Sequence, residues 1–419
     1  MHSLLQEHGG VARRGQRAGR GARFVALLAV VGLITVGVAT AGVAATNSKA
    51  SSQASVPGVT KDSISISLSG PYSGVYGAIG KQTFAMSQAW ADHVNAAGGI
   101  QGRKIKLVQV DNQFTPEGAV AACKEIKGNG TFFSINSIDG GDEVSCVDAA
   151  GIPQLVTASG LPVKKLNALK NTVFGRAAYF NGPTEASFLG SKYVNAKKKK
   201  IGIVSGSGPA FAGGYAGLTA ALKKQGFDVV HTERTSADGL QASFVPEMQR
   251  MKDSGAQVVL LDVVLEASGI IRDAKAVGYD PDFVLGPLAT QDIFTKASPD
   301  AFKGIKGLRY ETTVESPAYK KWEKSLSPDA AALANPTNAA QYAFMDVVGA
   351  ILNAAGKNPT RASFLAAAKS MENYDQLNLI GPFTTKGELS PVGQRSLFPL
   401  QCCNPDNTYK LLGPPAQQF

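Results

Sequence analysis

Ser63–Ile126 reads SISISLSGPYSGVYGAIGKQTFAMSQAWADHVNAAGGIQGRKIKLVQVDNQFTPEGAVAACKEI. The period-two alternation of Ser63–Ser69 predicts a strand, because successive side chains of a strand face opposite ways. A Gly- and Pro-rich turn follows, and Gly77–Ala97 carries a helical apolar period that Gly98-Gly99 ends. Lys104–Val110 predicts a second strand. Pro116–Lys127 predicts a helix with proline in its first turn, where a missing N–H costs nothing. Further on, Phe132–Ile135 and Ile152–Val156 predict strands on either side of a helix over Gly141–Ala150. Strands and helices in strict alternation imply a parallel sheet covered by helices on both faces.

The rhythm restarts near residue 200. Strands are predicted at Lys200–Ser205, Phe227–His231, Val258–Asp262 and Asp282–Leu285, with helices at Gly213–Gln225, Gln241–Ser254 and Ala267–Val277. Residues 317–371 read as mostly helical, with Thr337–Ala355 the longest helix, and the tail from Leu377 holds short strand-like pieces between Gly and Pro. The chain therefore reads as α/β, with two doubly wound parallel-sheet lobes.

A chain of 419 residues can bury more than one core, and its 44% hydrophobic content excludes general disorder. Five arginines and one glutamate in residues 1–45 carry +4 of the net charge of +10. The mild remainder gives little reason to expect a nucleic-acid partner. Arg13–Arg23 is basic, residues 24–45 are uncharged, and the run ends in small residues. This is the pattern of an export signal, cleaved after Ala41 or Ala45, with an uncleaved N-terminal anchor as the rival reading. Residues 46–58 (TNSKASSQASVPG) read as a flexible linker. The rest of the chain is expected outside the cytoplasm.

Residues 64–125 resemble the leucine/isoleucine/valine-binding family of extracytoplasmic solute-binding proteins. The resemblance lies in the order of parts: strand, S-G-P-x-x-G-x-x-G loop, long helix, N-A-x-G-G-I-x-G turn, then a strand ending in Asp. GIPQLVTAS, LKKQGFDVV, IIRDAKAVGYD and LIGPFTTKGEL extend it over residues 60–400. It implies the periplasmic binding protein type I fold, with two lobes joined by three hinge crossings. Lobe one is then 59–176 plus 309–380, and lobe two 177–308 plus 381–419. It also implies a monomeric, non-enzymatic subunit of an ABC importer that hands a small solute to a membrane permease, with no cofactor or metal. The alternatives are a ligand-sensing ectodomain of an anchored receptor and a hydrolase using a cleft serine.

In open parallel sheets ligands sit beyond the carboxyl ends of strands, where loops feed helix N-termini. The loop Gly70–Gly77 fits that position, with Tyr72 and Tyr76 as flat walls and Ser73 as a hydroxyl. Family resemblance adds Ser137, Ala158 and Ser159 from lobe one and Phe211 from lobe two. The family's ammonium-binding Glu falls on Leu288, and its Tyr on Val263. Asp262 at the end of VVLLD is a candidate substitute. An ammonium in a closed cleft needs an anionic partner, so a small carboxylate or amide with an apolar body is expected rather than a branched-chain α-amino acid.

Four Cys in an exported chain suggest disulfides, and three pairings are open. Cys123 and Cys146 lie in consecutive predicted helices of one lobe and are the favoured pair, with a vicinal Cys402–Cys403 bond second. Beyond the leader only His93 and His231 remain, too isolated for a dyad. GSGPAF (206–211) departs from a dinucleotide loop, with Phe at the third Gly. Lys197–Lys200 reads as a solvated face.

Overall fold

A computed structural model describes residues 55–137, 142–236, 241–386, 392–394 and 396–417. The expected export signal lies outside these residues. Among them, no helix is long and apolar enough to cross a membrane.

The first sheet holds β1 (Ser63–Gly70), β2 (Lys104–Asp111), β3 (Phe133–Asn136), β4 (Gln154–Ser159) and β5 (Thr172–Ala177), in the order β2-β1-β3-β4-β5, all parallel. The second holds β6 (Lys200–Gly206), β7 (Asp228–Thr235), β8 (Val258–Asp262), β9 (Asp282–Leu285) and β10 (Lys306–Arg309), parallel in the order β7-β6-β8-β9-β10. β11 (Ser396–Cys402) and β12 (Tyr409–Leu411) extend its β10 edge antiparallel. Both sheets thus repeat the 2-1-3-4-5 order, whose chain reverses direction beside its first strand. That point is a preferred ligand position.

Local chemistry explains the elements. Ser67 in β1 is buried, yet its hydroxyl meets Thr131 Oγ1 at 2.9 Å, so an alternating Ser pattern survives with both faces covered. Gly98 and Gly99 stop the helix Gly77–Ala96 with φ of 104° and 80°, a region that side chains other than glycine's rarely enter. Thr115 accepts from the Gly118 N–H and caps Pro116–Gly128.

The first core joins β1 and β3 to Trp90, Trp322, Phe344 and Phe364 of four helices. On the opposite side of the chain fold, two further clusters line the second sheet. The backbone passes between the sheets three times. It first leaves β5 through the 3-10 turn Ala178–Asn181. It returns from Tyr310 to Tyr319, which belong to the second and first cores respectively. The last passage enters β11, and it lies later than residue 380. Phe383 still packs in the first core, and the Gly393 N–H donates to Phe174 O of β5. The expected linker also ends early, because Val56 packs against the first core and a Cβ at Gly58 would sit 2.0 Å from Phe132 N.

Other departures have physical causes. β5 and the helix Gly182–Gly190 are elements that the sequence reading does not contain. The helix expected from Gly213 begins at Pro209, since Gly213 is an interior contact position and not a stop. The helix expected from Gln241 begins at Val245, and β7 runs on to Thr235.

Candidate functional site

The carboxyl ends of the two sheets' first strands face one cavity of about 130 Å³. By the volume one water needs, this holds roughly ten waters, or a solute of about that many non-hydrogen atoms. From the first sheet come Tyr76 and Ser137, beyond β1 and β3, and Ala158 and Ser159, which end β4. From the second come Phe211, Val264 and Leu288, beyond β6, β8 and β9. Ile79, Phe114 and Ala340 complete an apolar lining.

Each wall is held in place. Tyr76 meets Phe114 edge to face at 5.1 Å. Phe211 is 6% exposed and lies flat on Gly206, where a Cβ would reach its ring at 2.4 Å. A larger residue at 206 would push Phe211 out of position. The two sides also touch directly: the Gly213 N–H donates to Gly160 O at 2.7 Å. Gly213 is the fifth residue of Pro209–Lys224, and its N–H reaches across to the loop after β4.

Residues 63–396 match the family described as periplasmic binding protein. The chain belongs to that family. It is a family of non-enzymatic, extracytoplasmic proteins that bind small solutes and work with ABC permeases. An amino acid binding protein of Pseudomonas aeruginosa is 28% identical over 57% of this chain and 65% of its own length. The chain spans less than two thirds of the first curated relatives it matches. Two solved structures share the fold with a TM-score of 0.71. One is a fatty acid ABC transporter substrate-binding protein from Thermomonospora curvata, 18% identical, covering 86% of this chain and 94% of that one. The other is a branched-chain amino acid ABC transporter from Thermus thermophilus with bound valine, 14% identical, covering 86% and 97%.

In this periplasmic binding protein, six of the nine residues expected at the ligand line the cavity: Tyr76, Ser137, Ala158, Ser159, Phe211 and Leu288. The other three are spent elsewhere. Tyr72 is buried and its hydroxyl donates to Leu68 O at 3.1 Å; burial pushes its ionisation far up. Ser73 is exposed and bonds Asp111. Burial would raise the Asp111 carboxyl, but the hydrogen bonds from Ser73, Gln113 and Tyr72 outweigh it and hold it low. Asp262 sits behind the wall, with Ser205 Oγ donating to its Oδ2 at 3.2 Å. Burial pushes it up to about 6; the Ser205 bond and Arg234 oppose this, and Glu266 adds to it. Glu185, also buried, is raised well above the carboxylate range by burial and by Asp262. Val263 is buried in the second core, and its neighbour Val264 reaches the cavity.

Several cavity residues escaped the sequence reading, Arg176 and Tyr310 among them. Arg176, at the end of β5, lies over the Tyr310 ring with 4.1 Å between guanidinium carbon and centroid. Tyr310 in turn receives a hydrogen bond from the Asn181 side chain, at the first crossing. The available signal was the apolar Val173-Phe174 followed by a charged residue near the carboxyl end of a parallel strand, the end where this fold binds ligands.

Elsewhere, Cys123 and Cys146 are joined, with Cα atoms 6.1 Å apart, and Cys402 and Cys403 are also paired. Lys199 pairs with Asp282, and Lys197 bonds Gln225 O. Among the described residues no cluster of His, Cys, Asp or Glu could hold a metal ion.

Proposed function

We propose that this chain is the extracytoplasmic substrate-binding subunit of a branched-chain-amino-acid-type ABC importer. It traps a small carboxylate- or amide-bearing solute between two lobes and delivers it unchanged to a membrane permease. The observation that carries the reading is the cavity at the switch points of both sheets, lined from both sides by Tyr76 and Phe211. A ligand touching both walls favours the arrangement in which they approach, so binding and closure are one equilibrium. The fold alone leaves the cargo open, since its relatives include proteins described as binding fatty acid and valine. In the exported chain the Cys123–Cys146 bond lies within lobe one and leaves the hinge free to move. The lobe boundaries are 59–176 with 309 onward for lobe one and 177–308 with the C-terminal strands for lobe two, the last crossing being drawn before Ser396 and not at 380, so that Phe383 and Gly393 stay with lobe one.

Thermal-shift screening of the purified mature domain against metabolite libraries tests this. A binder raises the melting temperature in proportion to its occupancy and is recovered intact. A library without a single stabilising compound, or turnover of a stabilising one, would defeat the proposal.

A further inference from the structure

Among the described residues that line the cavity, Arg176 is the one side chain charged at neutral pH; none of them is Asp, Glu, Lys or His. Arginine keeps its proton at any physiological pH. Arg176 is half-buried, its Nε is buried without a hydrogen-bond partner, and no carboxylate of the described residues lies within ion-pair distance. The neighbouring acid Glu311 feels the charge of Arg176 but lies closer to another guanidinium, with its Oε1 3.8 Å from Arg309 Nε. Stacking on Tyr310 covers one face of the Arg176 group and leaves the edge that forms forked hydrogen bonds. Thr157, also a lining residue, has a buried hydroxyl with no partner.

A half-buried cation with no acid at ion-pair distance is partly desolvated, and an anion bound against it offsets that cost. The reverse holds for an ammonium, which would find only neutral acceptors and a like charge nearby. Asp262 and Glu185, the acids that could have met it, lie outside the lining. We infer that Arg176 anchors a single carboxylate, and that the cargo is a small hydrophobic monocarboxylate without an amino group. This rests on the solute-binding reading above and narrows it by excluding both amides and α-amino acids.

The test uses matched probes that share an apolar body and differ in head group. Phenylacetate, 4-methylpentanoate and octanoate are each compared with their amide and with phenylglycine, leucine and 2-aminooctanoate as amino counterparts, by calorimetry on the mature chain. Acids should outbind their amides and amino acids with every body that fits. Arg176→Gln should weaken acid binding about a hundredfold, the scale of losing one partner of a buried charge pair, and so abolish the preference for acids over amides, with circular dichroism of the unliganded variant checking that it folds. Arg176→Lys should keep part of the preference for acids. An amide or amino acid binding as well as its acid, or an Arg176→Gln variant that still prefers acids, overturns the inference. So does failure of all the acids, and a wider library that then yields a binder would leave the solute-binding reading standing.

Discussion

Substituting Gly213 by Ala should separate ligand affinity from stability. A Cβ at Gly213 would lie 2.5 Å from both Gly160 O and Leu161 O, closer than real Cβ contacts come. All three atoms are tied to backbone, so the start of the helix Pro209–Lys224 must retreat from the loop after β4 by about 0.5 Å or more to reach the 3.0 Å limit. The retreat strains packing, at about 1–3 kcal/mol. It also breaks the 2.7 Å bond from Gly213 N–H to Gly160 O, about 1 kcal/mol. Together the closed arrangement loses about 2–4 kcal/mol, which is about 30- to 700-fold in apparent affinity. Alanine is at the same time a better helix former than glycine by about 1 kcal/mol, so the unliganded protein should melt no lower than the parent. Calorimetry with a ligand found by screening, beside a melt without ligand, reads both quantities. Parental affinity in the variant would refute the view that this contact belongs to the ligand-holding state. A sharp fall in the unliganded melt would assign it to the fold instead.

Phe211→Ala should cost about 3 kcal/mol of stability by leaving an empty space over Gly206, measured by urea unfolding, and should weaken ligand binding in the same variant. Breaking Cys123–Cys146, which closes a loop of 23 residues, should cost about 3 kcal/mol, seen as a lower urea midpoint in the Cys123→Ala/Cys146→Ala variant. Asp262 is raised in the folded state to about 6 by burial, above its unfolded value of about 4. The folded protein therefore binds this proton more tightly. Stability on this group's account is present below about pH 4 and falls as pH rises through about 6, by on the order of 2 kcal/mol. Asp262→Asn should flatten the melting-temperature decline between pH 4.5 and 7. Because Glu185 is raised with it, Glu185→Gln should flatten it too.

The fold was legible because its signals are local: alternation in Ser63–Ser69, paired glycines at 98 and 99, and an apolar run in Val258–Asp262, each matched by an element. β5 was missed because it is short, with a glycine and an arginine among its six residues. Arg176 went with it, the one charged side chain among the described residues that line the cavity. Tyr72 and Ser73 stand in the right loop, but sequence does not say which way a loop residue turns. Tyr72 turns inward to Leu68, and Ser73 turns to Asp111. Asp262 was correctly placed at a strand end, yet its neighbours Ser205 and Gly214 hold it behind the wall. Gly213 was read as a helix boundary because glycine is a poor helix former. Its purpose is close approach to a residue far away in the sequence, which no local pattern records.

The most direct measurement is a crystal structure of the mature chain with its tightest screened ligand. The account predicts intact compound enclosed between the sheets, touching Tyr76 or Ser137 on one side and Phe211 or Leu288 on the other. Density on an outer face, or a cleaved product in its place, would contradict it.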